Sequence, residues 1–173
     1  MQNSKINVSM KCRIGLGKDQ NYDFFEEFID EILKSGIKIV YVHARNAILS
    51  GLSPKKNRKI PKLRYEDVLR VKNKYEDIDL YLNGGLEDIP EIQNNISLFD
   101  GIMIGRKIYD DPMFLRVIER EVFNDQTVIT RKEIISQYLK YIEPLSKKGI
   151  SNYLLLRHLF SLYYNTSSAK KWK

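Results

Sequence analysis

Cysteine is almost absent from this chain: Cys12 is the only one in 173 residues. That excludes an intramolecular disulfide and any metal site built from several thiolates. Histidine is scarce as well, with His43 and His158 the only two. No HxxxH spacing, paired carboxylate or Ser/His/Asp arrangement points to a metal centre or a hydrolase. No apolar run approaches the roughly 20 residues that a membrane-spanning helix requires. The opening residues, MQNSKINVSM, lack the apolar stretch of a signal peptide. These absences together make a reducing cytoplasm the economical expectation.

What is present is enough for a real core, since 43% of residues are hydrophobic, while 29% are charged and suit a solvated surface. The formal net charge of +7 is of the kind that attracts nucleic acid by neutralising phosphates, although a lysine-rich solvated surface gives the same total. Distribution is more informative. Six of the ten residues 55–64 are basic (Lys55, Lys56, Arg58, Lys59, Lys62, Arg64), and no acidic residue interrupts them.

The chain reads as alternating strand and helix. Residues 6–12 form a β-rich run that closes on a turn-like Gly15-Leu16-Gly17. The spacing of Phe24, Phe25, Phe28, Ile29, Ile32 and Leu33 predicts a helix over 22–35 with one buried stripe, and Gly36 sits at its C-cap position. The run IKIVYV, 37–42, suits a strand covered on both faces. A basic loop then leads to a helix over 65–75. A strand over 79–82 closes on Asn83-Gly84-Gly85, a helix covers 86–95, and a strand over 101–104 closes on Gly105-Arg106. Another helix is expected over 112–121. From Thr130 the strands cease: Thr130-Arg131-Lys132-Glu133 fits a capping box opening a helix to 148, and a second helix is expected over 151–165. The change of pattern places a domain boundary near 124–129, giving domains 1–126 and 127–173.

Four βα units in succession imply parallel pairing and an α/β fold, the C-terminal half of a (β/α)8 barrel followed by a small all-helical domain. In such barrels the active site gathers at the carboxyl ends of the strands. Lys11 and Arg13 close the first strand, His43 and Arg45 the second, Asn83-Gly84-Gly85 the third, and Gly105-Arg106 the fourth. Glycines let backbone amides approach a phosphate, and an arginine adds a charge-assisted contact. Lys11 and Arg13 share one strand face and Cys12 takes the other, as a small apolar residue packing on a helix. His158 lies mid-helix beside Arg157, where a surface or core role is expected.

MKCRIG (10–15), VHARNAILSGLSPKKNRKIPKLRY (42–65), LNGGL (82–86) and DGIMIGRKIYDDP (100–112) together resemble the tRNA-dihydrouridine synthases. The segment HAR…LSGLSPKKNRKIPKL resembles the A branch of that family, associated with two adjacent D-loop uridines. The tail LLLRHLFSLYYNTSSAKKWK resembles the family's helical RNA-binding domain. The resemblance implies an FMN-bearing barrel, a tRNA substrate and NADPH as reductant. It implies FMN contacts at Lys11, His43, Asn83, Gly84, Gly85, Gly105 and Arg106, the glycines and arginine serving the phosphate. For RNA it points to Lys55, Asn57 and Arg58 beside the target uridine and to Arg157, Lys170, Lys171 and Lys173 on backbone phosphates, with Trp172 packing rather than stacking.

In that family a cysteine of an N-terminal half-barrel loop protonates the uracil ring. This chain starts at what would be the fifth strand and stops before the family's tail is complete, and Cys12 lies in a strand, so no catalytic residue is expected in it. A fragment, a broken-gene product and one piece of a split enzyme all stay open. A four-stranded parallel sheet leaves two edges unpaired, so the expected partners are tRNA and either a separate N-terminal half-barrel chain or a second copy. The leading expectation is flavin-dependent reduction of uridine to dihydrouridine, with a catalytically inactive RNA-binding remnant as the alternative.

Overall fold

The structure, a computed structural model, describes residues 6–17 and 21–172. Two compact units divide the chain, Met1–Ile104 and Gly105–Lys173. The first contains β1 (Ser9–Leu16), α1 (Tyr22–Lys34), β2 (Ile39–Ala47), α2 (Pro54–Asn57), α3 (Tyr65–Lys74), β3 (Asp79–Asn83), α4 (Ile89–Ile96) and β4 (Gly101–Met103). The strands form one parallel sheet in the order β1-β2-β3-β4, and each parallel neighbour is reached through a helical crossover.

Local chemistry fixes the helix ends. Asn21 caps α1 by accepting the Phe24 N–H at 3.3 Å, and Gly36, at φ +86°, ends it by donating its N–H to Leu33 O at 2.9 Å. Asp88 caps α4 by accepting the Glu91 N–H at 2.9 Å. The buried stripe of α1 is narrower than expected: Phe25, Ile29 and Ile32 are buried, whereas Phe24 and Phe28 remain 39% and 38% exposed. Phe24 and Phe28 stand one residue, about 100°, off that stripe.

The strands run further than the β-rich stretches alone suggested. β1 continues through Gly15 and Leu16, and β2 continues through His43 and Arg45 to Ala47. Nor is β2 covered equally on its two faces. Val40, Val42 and Ala44 are fully buried while Tyr41, His43 and Arg45 are only half-buried. Aligned residues of parallel neighbours share a face, so the register sorts the whole sheet. Cys12, Val42, Leu82 and Ile102 align on the buried face, against which α1, α3 and α4 pack. Arg13, His43, Asn83 and Met103 align on the other, above Lys11, Tyr41, Tyr81 and Gly101. Tyr41 belongs to that second face because its ring stacks on Tyr81, with centroids 4.7 Å apart. Beyond Arg13 the register slips by one residue in β2, a bulge that increases local twist at the strand ends.

The described elements of the second unit are all helical: α5 (Arg106–Asp110), α6 (Phe114–Phe123), α7 (Arg131–Lys147), α8 (Asn152–Leu156), a 3-10 turn at Arg157–Leu159, and α9 (Ala169–Trp172). The division at 104/105 groups α5 and α6 with the helices that follow them, while the pattern change at 124–129 marks the start of α7. Both bonds of the Thr130/Glu133 capping box are present. The helix expected over 151–165 is broken into α8, the 3-10 turn and further turns. Side chains take up its carbonyls, with Tyr138 OH donating to Leu155 O at 2.7 Å and Trp172 Nε1 to Leu159 O at 2.8 Å, which lets the backbone leave α geometry without leaving those groups unsatisfied. Ile118, Ile142, Leu155, Leu159 and Leu162 are its buried apolar residues.

Candidate functional site

In the first unit the strands deliver ionisable and amide groups to the half-buried face. Lys11 Nζ donates to Asn83 Oδ1 at 2.9 Å, and Asn83 Nδ2 donates to Met103 O at 2.6 Å. One carboxamide thus links β1 to β4 across the sheet. Lys11 is exposed as a residue, but partial loss of hydration at its ammonium lowers its pKa from the usual lysine value, and the Arg13 charge acts in the same sense. Below this layer the Tyr81 ring leans over Gly101, where an added Cβ would stand 2.8 Å from Cδ1. Cys12 is on the opposite face, and burial pushes its thiol up to about 11, which suits inert packing.

Asn83-Gly84-Gly85 is a tight turn with φ +103° at Gly84 and +76° at Gly85. Side chains press directly on its backbone. A Cβ at Gly84 would sit 2.7 Å from His43 Nε2, and one at Gly85 2.8 Å from the Tyr65 hydroxyl. The Tyr65 OH donates to Gly84 O at 2.6 Å. Burial, with the nearby Glu91 carboxylate, pushes that hydroxyl well above its ordinary value and keeps it a donor.

The segment 48–64 rises from the carboxyl end of β2, and arginines bind it from below. Arg13 Nη1 donates to Asn46 O at 2.9 Å and Asn57 O at 3.2 Å. Arg45 Nη1 donates to Lys59 O at 3.1 Å and also to Pro61 O. Arg64 donates to Asn46 Oδ1 at 3.2 Å and pairs with Asp67. Burial, then the Arg45 and Arg58 charges, lower the Arg13 pKa, so this end of the sheet is strongly cationic. Lys55, Lys56, Arg58, Lys59 and Lys62 remain exposed. Asn57 differs from them: its carboxamide accepts the Ile48 N–H at 2.8 Å and donates to Ile48 O, so it holds the loop's shape rather than reaching outward.

The first unit therefore brings Lys11 and Asn83 into contact, with His43 against the adjoining turn. Asn46 and Tyr65 are not singled out by the sequence pattern, nor is Leu63, whose side chain fills the space beside Gly84 and Gly85. Asn46 is only 7% exposed and donates to Gly17 O at 3.1 Å; a polar residue continuing the buried alternation of β2 was its only signal. In the second unit Gly105 precedes α5, with no atom within 4 Å of an added Cβ, and Arg106 is exposed in the helix's first turn. Arg157, Lys170 and Lys171 are exposed. His158 lies at the surface edge-on to Tyr109. Trp172 packs, half-buried, 4.7 Å from the Tyr163 ring. Lys173 lies outside the described residues. Among those residues no helix is long and apolar enough to cross a membrane, and no group of three or more His, Cys, Asp or Glu could hold a metal ion.

A parallel sheet that keeps one face for helices and gathers ionisable side chains on the other is an α/β scaffold of the kind that carries sites at its carboxyl ends. The chain belongs to the dihydrouridine synthase family, whose model matches residues 1–173. It is similar to the tRNA-dihydrouridine(20/20a) synthase of Haemophilus ducreyi, with 37% identity over 169 residues covering 97% of this chain and 52% of the relative. The synthase of the same description from Synechocystis sp. is 35% identical over 170 residues, covering 98% of this chain and 51% of the relative. That of Pasteurella multocida is 34% identical over 169 residues, with 97% and 52% covered. The chain thus spans about half the length of the curated relatives it matches.

Proposed function

We propose that this chain supplies FMN and tRNA contacts to a flavin-dependent enzyme that reduces uridine to dihydrouridine in the D loop of tRNA. Its sheet would be the C-terminal half of a (β/α)8 barrel, and residues 127–173 part of a helical tRNA-binding domain. The observation that carries the reading is the 2.9 Å contact between Lys11 and Asn83 on the face that also presents His43, at the carboxyl end of β3 and beside mid-strand positions of β1 and β2. A cation and an amide at such a place need a reason beyond packing, since the apolar residues already occupy the other face.

These residues fit a flavin nucleotide. The Lys11 ammonium would meet the pyrimidine side of the ring, and Asn83 and His43 would orient it. At Gly84 and Gly85 the space of the missing side chains is taken by His43, Leu63 and Tyr65, so this turn would offer a phosphate only its backbone N–H groups. Gly105 and Arg106 are proposed as further phosphate contacts on their place directly after β4. When bound, FMN would supply the hydride that the uracil ring takes up, with NADPH as the reductant. Cys12 would not supply the proton, because it faces the helices with a raised pKa.

For RNA, Lys55 and Arg58 would meet phosphates near the target uridine, while Arg157, Lys170 and Lys171 would hold others; Asn57 would act through the loop it anchors. In the sheet of the described residues β1 and β4 are edge strands, and pairing with a separate half-barrel chain or a second copy is part of the proposal. The test is deletion of the gene, followed by mass-spectrometric measurement of dihydrouridine at the two adjacent D-loop positions. Loss is expected, with restoration from a plasmid copy. The alternative reading is an inactive RNA-binding remnant, for which the chain would bind tRNA but dihydrouridine would be unchanged on deletion.

A further inference from the structure

The second unit contains a cleft of about 540 Å³ with largely aromatic walls, within the size range of small-ligand sites. Tyr109, Tyr153 and Tyr164 line it and are 58%, 68% and 54% exposed. Rings exposed to that degree contribute little to the unit's own core, yet they are gathered in one concavity. The walls are also braced. Ser161 Oγ donates to Tyr109 O at 2.7 Å. Tyr163, another lining residue, is backed by Trp172 and by the Arg131 guanidinium, 5.4 Å from its ring centroid. Arg157 lines the same cleft, and Lys170 and Lys171 stand exposed directly after the lining residue Ala169.

Flat aromatic walls with an arginine and neighbouring lysines match a nucleotide: π-faces for a base, cations for its phosphates. We propose that this cleft takes one unstacked nucleobase of the tRNA, its ring packed on the tyrosine walls and the adjoining phosphate on Arg157. Asp110 and Asn165, which also line the cleft, offer hydrogen-bonding atoms to the base edge. Phosphate contacts alone would need only the cations, so the aromatic gathering is what distinguishes a base site from a charged surface. The inference rests on the tRNA-binding reading above.

The experiment is a salt titration of tRNA binding to the 173-residue chain, comparing wild type with Tyr109→Leu, Tyr164→Leu, Arg157→Ala and the double variant Lys55→Ala/Arg58→Ala. Leucine keeps apolar bulk but removes the flat ring. Each tyrosine variant should bind about tenfold more weakly at every salt concentration with an unchanged slope, because stacking releases no counterions. Arg157→Ala should instead flatten the slope by about one. As a readout that needs no variant, ultraviolet cross-linking of tRNA to the wild-type chain should capture peptides containing Tyr109, Tyr153 or Tyr164. Tyrosine lines that coincide with wild type, or cross-links confined to other peptides, overturn the base site while leaving the functional reading intact. If the wild type binds no tRNA at any salt concentration, the functional reading fails and the base site with it.

Discussion

Asn57 grips a single residue, Ile48, at both of its backbone polar groups, accepting the N–H at 2.8 Å and donating to the carbonyl. The contact closes the base of the segment between them. Asn57→Ala should therefore cost about 1–3 kcal/mol, the range for leaving partly buried polar groups unmatched, and should speed protease cleavage within 49–56. Unchanged cleavage and an unchanged urea midpoint would sink the anchoring role.

Gly84→Ala should destabilise the fold by roughly 1–3 kcal/mol through crowding alone, since the new methyl meets the His43 ring, and strain at φ +103° adds to it. Gly51→Ala is the control: its φ is +77°, but nothing lies within 4 Å of the added atom. Urea denaturation should show the larger loss at Gly84. Equal losses would mean that only backbone conformation matters there.

Asp100 gives a pH dependence. Burial would raise its carboxyl, but the Lys72 ammonium and the Leu80 N–H, each at 2.6 Å, outweigh that and hold it below the ordinary 3.8. A depressed carboxyl contributes stability above its unfolded pKa, and the contribution disappears as pH falls through the folded pKa. Asp100→Asn should be less stable than wild type near neutrality, with the gap narrowing below about pH 4 as the carboxyl protonates. A gap of constant size across that range would show that charge plays no part.

Flavin binding tests the strand-end residues. Arg106→Ala should weaken FMN by about 1.5–3 kcal/mol, as expected for losing a hydrogen bond to a charged group. Lys11→Ala should weaken it as well, whereas Cys12→Ala should not. Fluorescence titration of FMN reads all three. Equal affinity in wild type and the Arg106 variant would place the phosphate elsewhere.

For the basic loop, Lys55→Ala/Arg58→Ala should lower tRNA affinity and flatten the salt slope by roughly one unit for each phosphate left without its cation. Parallel, coincident lines for wild type and double variant would remove that segment from the RNA interface.

Periodicity made the alternation of strands and helices legible, because α1 and β2 bury apolar residues at helical and two-residue spacings. Caps were legible too, since Gly36 and the Thr130/Glu133 box act through local bonds. Strand ends were not. The β-rich pattern gives out near Gly15 and His43, which are flexible and polar, while the hydrogen-bond ladder continues past them. The break after Leu156 was also hidden, since it depends on donors from Tyr138 and Trp172, distant in sequence. At the candidate site, Lys11, His43 and Asn83 could be picked out by type and position. Asn46 and Tyr65 could not, because what recommends them is whom they touch. Asn57 is by type one polar residue in a basic run, and only its contact with the Ile48 backbone sets it apart.

The two-sided sheet has a consequence for how the gene can change. Even-numbered positions such as Val42, Leu82 and Ile102 go to the helices, and odd-numbered ones such as Arg13, His43 and Asn83 go to the opposite side. A codon altered at an odd position such as Arg13 or Asn83 changes chemistry on that side and leaves the apolar set facing the helices in place. A single codon deleted inside β2 exchanges the two sets from that point on, driving His43 among the helices and turning an apolar neighbour outward. Within these strands, evolution can therefore rewrite letters but cannot drop one.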